Sequence, residues 1–288
     1  MNDFVICTDS ACDLPAELLR EWDVGYCNMN FKFDGDPVIY TNGDMTPSDF
    51  YRKMREGKCA RTAAINSTAF SDLFESYLQW GLNVLYIGFS GGLSATCGAA
   101  YRAGRELEER YPDRRVITVD SLSGSVGQGL LVWQAVQGLR AGKEMEEIEQ
   151  QILSLRTKVC HWVMVEDLVY LKRGGRISPT VAFVGKALGL KPLLRITDEG
   201  KIHSHSTVRG RKNMISALAE KYGAYAEHPA NGTVFISHAD CRAEAQALAD
   251  TLLNRYNVNT KVIADIGPVL GAHAGPGTLV LCFVGKER

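Results

Sequence analysis

Short apolar runs along the chain alternate with longer stretches whose apolar residues recur at helical spacing, with small or polar turns between them. This is the pattern of strands laid between crossover helices, so an α/β fold with a parallel or mixed sheet is expected. Phe4-Val5-Ile6-Cys7 reads as a first strand that runs into Thr8-Asp9-Ser10 and then Asp13-Leu14-Pro15, where Asp13 is placed to cap a helix tolerating Pro15 in its first turn. Thr46-Pro47-Ser48-Asp49 has the form of a capping box with proline at the first helical position. Ser67 opens a helix running to about Trp80, with Phe70, Leu73, Phe74 and Leu78 on one side. A strand from Val84 to Phe89, a helix from about Ser94 to Arg110, a strand from Val116 to Val119 and a small-residue turn from Asp120 to Gly129 follow. In open α/β sheets ligands sit at the carboxyl ends of strands, which marks the ends near Asp9, Ser90 and Asp120 as a crevice.

A charged helical stretch, Glu144 to Lys158, separates this half from the next. The second half begins with strand Trp162 to Val165, continues through Leu171 to Leu188, and contains a hairpin, Leu193 to Ile196 with Ile202 to His205, turning at Asp198-Glu199-Gly200. Helices at Lys212 to Tyr222 and Ala243 to Tyr256 alternate with strands Thr233 to Ser237 and Thr260 to Ile263, and a strand Thr278 to Val284 closes the chain. At roughly 150 residues per domain, the 288 residues divide into an N-terminal α/β domain, residues 1–160, and a C-terminal mixed or antiparallel α/β domain, residues 161–288.

Composition narrows the function. With 45% hydrophobic and 23% charged residues, the chain is an ordinary globular protein, not a disordered, collagenous or coiled-coil one. Thirty-two basic residues against thirty-three acidic give a net charge of −1 without a basic block, which argues against nucleic acid and for a small ligand. No apolar run reaches the roughly 18 residues of a membrane span and the N-terminus has no secretory pattern, so a cytoplasmic protein without an integral span is expected. The cysteines are scattered with no Cys-x-x-Cys pair and read as reduced, mostly buried thiols.

Several constellations carry possible chemistry. Gly88-Phe89-Ser90-Gly91-Gly92 matches G-x-S-x-G between a strand and a helix, so Ser90 is a candidate hydrolase nucleophile, with His238 or His273 as base and Asp167, Asp198 or Asp240 as its orienting acid. The alternative is a plain tight turn. Ser94, opening the next helix, combines a hydroxyl with free N–H groups and suits a carboxylate or phosphate, or else simply caps its own helix. Thr62 in Arg61-Thr62-Ala63-Ala64 offers a loop hydroxyl before a helix. Gly267 to Gly277 concentrates glycine and proline around His273, which would hold that imidazole as a fixed donor in a restrained loop. Arg176 sits at a junction between a helix stopped by Gly174-Gly175 and a new helix opened by Ser178-Pro179, where it can clamp an acidic group or lie in solvent. His203-x-His205 has no carboxylate cluster beside it, and Asp9, Asp13 and Asp120 are accounted for as caps and turn residues, so no metal is called for.

Taken in order, Thr8-Asp9-Ser10 with Asp13-Leu14-Pro15, Leu93-Ser94-Ala95-Thr96, Asp120-Ser121 with Gly127-Gln128-Gly129, Tyr170 to Ser178, Lys191-Pro192 and Gly267 to Gly277 resemble the DegV family over essentially the whole chain. The resemblance implies a two-domain α/β protein that binds one long-chain fatty acid without a cofactor. In some bacterial members it acts as the acyl-binding subunit of a fatty acid kinase, presenting the carboxylate to a separate ATP-using protein that makes acyl phosphate. It further implies that Thr62, Ser94 and His273 contact the carboxylate, with N–H groups of Gly92, Leu93 and Ala95 nearby, and that Arg176 supports phosphorylation. The chain performs no bond-making step in that reading; the head group would lie between the domains and the tail in the second half's apolar core. Three departures from the family pattern stand out: Ala63-Ala64-Ile65 for Ser-Gln-Pro, Ser90-Gly91 for Ser-Ser, and Ala95 for glycine.

Overall fold

The structure is a computed structural model that describes residues 3–178 and 189–288. Its first sheet is all parallel, in the order β2-β1-β6-β7, and its strands are β1 (Phe4–Asp9), β2 (Gly25–Cys27), β6 (Asn83–Gly88) and β7 (Val116–Asp120). Each of β1 and β6 is buried almost throughout, as expected of a parallel strand covered on both faces. Helices α3 (Ser67–Gln79), α4 (Thr96–Arg110) and α6 (Met145–Leu155) pack on this part of the chain.

The second sheet has six strands in the order β10-β9-β8-β13-β11-β12. It comprises β8 (Val159–Met164), β9 (Leu190–Ile196), β10 (Ile202–Arg209), β11 (Thr233–His238), β12 (Asn259–Asp265) and β13 (Leu279–Val284), of which only β11 and β12 pair in parallel. The hairpin at Asp198 is present as β9 and β10. Helices α8 (Met214–Tyr225) and α9 (Arg242–Tyr256) pack together and against this sheet, closing a core of Trp162, Leu218, Leu248 and Phe283. A small antiparallel sheet, β4-β3-β5, was not anticipated; it joins β3 (Asn30–Phe33), β4 (Tyr40–Thr41) and β5 (Ala60–Ala63), strands too short for alternation to register.

Between the two large sheets lies α5 (Val126–Arg140), which contacts β1 and β6 on one side and β11 and β13 on the other. A helix enclosed this way is apolar around much of its circumference and shows no amphipathic period. That is why Gly127-Gln128-Gly129, expected in a turn, instead form its first turn. Gly127 is required there because a Cβ would meet His161 Nε2 at 2.0 Å.

Two other local expectations fail for related reasons. Asp13 does not cap a helix: Asp9 caps a short 3-10 turn at Ser10–Cys12, Asp13 ends that turn at φ 50°, and α1 (Ala16–Glu21) begins behind Pro15 without a side-chain cap. The glycine-rich stretch around His273 is not a loop, since Gly267-Pro268 starts α10 (Pro268–Ala274) and Gly275 at φ 81° ends it. Helix α2 (Pro47–Arg55) does start at Thr46 as expected, with Thr46 Oγ1 accepting from Asp49 N. The helix expected from Ser178-Pro179, and the run to Leu188, lie largely outside the described residues. All eight cysteines are free, with only Cys59 outside the buried class.

Candidate functional site

Strands of the six-stranded sheet, β5 of the small sheet, α10 and the loops after β6 and β7 enclose a cavity with about 920 Å³ of empty space, its open mouth included. Its walls are mainly apolar: Val163 on β8 and Val165 just past it, Leu194 and Ile196 on β9, Ile202 on β10, and Val269 and Leu270 on α10 among them. Alternation along β8 accounts for this division, because Val163 and Val165 face the cavity while Trp162 and Met164 enter the core beneath α8 and α9.

Polar groups collect where β5, the loop before α4, α10 and the end of α7 (Val169–Arg173) meet. Thr62, Ser94, Leu93, Arg176 and His273 all line the cavity. Thr62 Oγ1 and His273 Nε2 lie 2.8 Å apart. Burial, reinforced by Arg176, pushes the His273 imidazole down to about 4, so it is neutral near pH 7. Its Nδ1 is buried with no hydrogen-bond partner and abuts Gly174, where an added Cβ would come within 2.1 Å. A bare ring nitrogen is better tolerated here than an unpaired N–H, which favours the tautomer with the proton on Nε2. Nε2–H then donates to Thr62, and the Thr62 hydroxyl hydrogen is free to point at a ligand.

Ser94 lies two residues before α4, not at its first position, because Ala95 occupies the N-cap. Its Oγ accepts from Thr96 N at 3.3 Å and bonds the Thr96 hydroxyl at 2.9 Å. Thr96 Oγ1 in turn accepts from Ile65 N, tying the loop before α4 to the segment after Thr62. Arg176 Nε donates to Leu93 O at 3.3 Å, and its Nη1 to Gly174 O. Gly92 and Ala95 are not in the lining; the Gly92 amide donates to Ser90 Oγ instead.

At the carboxyl ends of β6 and β7, Phe89, Leu93, Ser94, Gly124 and Ser125 line the cavity, whereas Asp9, Ser90 and Asp120 do not. Asp9 is fully buried and accepts from Ala11 N, Phe89 N and Tyr86 Oη, while Asp120 accepts from Gly91 N and Leu122 N. Ser90 is completely buried, its Oγ donating to Gly200 O at 2.8 Å and accepting from Gly92 N at 3.2 Å. Among the described residues neither His238 nor His273 bonds to it: His238 faces Asp265 at 3.4 Å and His273 faces Thr62. His205 packs edge-on against Trp162 and accepts from Lys221, and no metal-binding group of His, Cys, Asp or Glu occurs among the described residues.

Wall residues from distant segments went unnoticed in the sequence. Met29, Ser125 and His161 line the cavity, yet nothing in their local spacing marks them. His161 is buried and held down to about 3 by desolvation, a neutral group whose Nδ1 contacts Val159 O at 3.0 Å.

Fold and site together define an α/β protein with a mainly apolar cavity in which Thr62, His273 and Arg176 come together. The chain belongs to the DegV family: that family's sequence profile, described as an uncharacterised protein of the DegV family, matches residues 3–286. A DegV domain-containing protein of Clostridium perfringens is 38% identical over 289 aligned positions, covering 100% of this chain and 99% of that protein. A fatty-acid-binding DegV family protein of Thermus thermophilus superposes with a TM-score of 0.88 at 28% identity, over 98% of this chain and 99% of that one. A stearic-acid-binding protein of Eubacterium ventriosum gives 0.87 at 26% identity, over 98% of each chain. No helix among the described residues is long and apolar enough to cross a membrane.

Proposed function

We propose that the chain binds one long-chain fatty acid non-covalently, with the carboxylate at Thr62, Ser94 and His273 and the tail along the β8–β9 wall, and presents it in the cytoplasm to a separate ATP-dependent fatty acid kinase. Residues 1–160 then supply strand β5 bearing Thr62 and the loop bearing Ser94, and residues 161–288 the tail chamber and the His273 helix. The observation behind this reading is a mainly apolar cavity in which the Thr62 hydroxyl, the His273 imidazole and the Arg176 guanidinium come together. Burying a dozen or more methylenes at ~0.8 kcal/mol each supplies on the order of 10 kcal/mol gross, so the tail drives binding. A carboxylate stripped of water needs donors, which the Thr62 and Ser94 hydroxyls and the Arg176 guanidinium offer. A neutral His273 fits, since it orients Thr62 without adding a counter-charge. Arg176, which bonds Leu93 O and Gly174 O, supports phosphoryl transfer by the partner in this reading.

The test is native mass spectrometry of the purified protein, followed by extraction and identification of the released molecule. One fatty acid per chain is expected; a folded protein that stays empty when offered stearate would overturn the reading. For the second half of the proposal, acyl phosphate should form from ATP only when the kinase is added, and Arg176→Ala should lower that rate while stearate still binds. The alternative, a Ser90 hydrolase, is disfavoured by the bonds that occupy the Ser90 hydroxyl; labelling of Ser90 by a fluorophosphonate would restore it.

A further inference from the structure

His273 reaches Thr62 because α10 is held against the N-terminal part of the chain, where two buried polar contacts and a third partly buried one grip it. Asp13 Oδ1 accepts from Gly267 N at 2.9 Å, Asn42 Oδ1 accepts from Val269 N at 3.1 Å, and Tyr51 Oη donates to Ile266 O at 2.7 Å. All three grip the start of α10, one helix length from the imidazole. Asp13 is the carboxylic acid among them. Its other oxygen, Oδ2, accepts from Ser125 Oγ at 2.6 Å, and Ser125 Oγ lies 2.8 Å from Ser237 Oγ. Ser125 stands at the start of α5 with φ 51° and ψ −148°, yet its side chain does not cap that helix. That backbone is strained for an L-residue, and it aims the hydroxyl at Asp13.

We propose that Asp13 is the positioning residue of the head-group end: by accepting from the Gly267 amide at the N-cap of α10, with Ser125 donating to its other oxygen and itself bonded to Ser237, it sets His273 against Thr62. This rests on the fatty-acid reading above and adds to it a residue that touches no ligand. The groups facing Asp13 are Asp9 and Cys12 on its own segment, Tyr26 on β2, Tyr51 on α2, Ser125 on α5, Asp265 on β12 and the Gly267 amide, with no cation among them. Burial raises its carboxyl to about 7. Hydrogen bonds to the ionised form are roughly twice as strong as neutral ones, so the grip on α10 tightens as pH rises through neutrality. His273, held near 4, does not titrate in that window.

The test measures stearate affinity by calorimetry and amide exchange of residues 267–274 by NMR, from pH 6 to pH 8, in the wild-type chain, Asp13→Asn and Ser125→Ala. Wild-type affinity is expected to rise several-fold across the range while exchange slows. Asp13→Asn should bind about tenfold more weakly at pH 8, with both profiles flat. Ser125→Ala removes one donor to the carboxylate and should move the midpoint of both profiles upward. A folded Asp13→Asn with wild-type profiles overturns the proposal, as does an unmoved midpoint in Ser125→Ala, which decides the matter alone if Asp13→Asn does not fold. Absence of stearate binding in the wild type would overturn the fatty-acid reading instead, and amide exchange, which needs no ligand, still decides the role of Asp13.

Discussion

Gly174 shows how much one hydrogen atom in place of a methyl can matter. Its α-carbon lies against His273 Nδ1, and an alanine there would press into an imidazole already fixed by Thr62. Gly174→Ala is expected to cost about 1–3 kcal/mol of stability and to weaken fatty-acid binding more than an alanine placed at the exposed Gly98, which calorimetry on both variants checks. The protonation of His273 gives a second prediction. Its pKa is held near 4 in the folded chain and near 6.5 once unfolded, so the unfolded state binds the extra proton between these values. Stability from this residue is therefore complete above about pH 6.5 and is lost as pH falls toward 4. Relative to His273→Gln, the wild type should lose roughly 2–3 kcal/mol over that interval in urea titrations; an unchanged difference would mean that the imidazole is hydrated.

At the scale of elements, local signals served well where the determinant was local. Thr46-Pro47 started α2 as the sequence indicated, since a hydroxyl cap and a proline at the first position act within one turn. Thr46→Ala is expected to cost about 1 kcal/mol in denaturant midpoint and to leave fatty-acid affinity unchanged, because α2 contributes Tyr51 from its interior. Helices α3 and α9 and strands β11 and β13 were legible for the same reason: each carries an apolar face or run of its own. Helix α5 was misjudged at its start because it is buried between sheets and needs no polar face. Helix α10 was taken for a loop because its glycines and prolines were weighed as breakers, whereas Pro268 starts it and Gly275 stops it.

The whole molecule brings the cavity into being. Thr62, Ser94, Arg176 and His273 come from separate segments of the chain and share one end of it, while Gly92 and Ala95, close neighbours of Ser94, stay outside. If the cavity holds the acyl tail, filling it should abolish binding without unfolding the protein. Val163→Phe narrows the β8 wall and is expected to cost about 1–3 kcal/mol of stability while the purified protein carries no fatty acid by mass spectrometry; full occupancy would move the tail elsewhere.

The sequence by itself determined the α/β class, most strands and helices, and the identity of the polar residues that gather at one end of the cavity. Those follow from hydrophobic period, capping chemistry and short motifs, which act over a few residues. Only the tertiary structure decided that Asp13 grips α10 and leaves its own helix uncapped, that Ser90 is locked to the Gly200 carbonyl, and that Met29, Ser125 and His161 share a wall. The reason is physical: burial and the pairing of buried polar groups depend on what the other sheet brings within hydrogen-bond distance, and no local pattern records that.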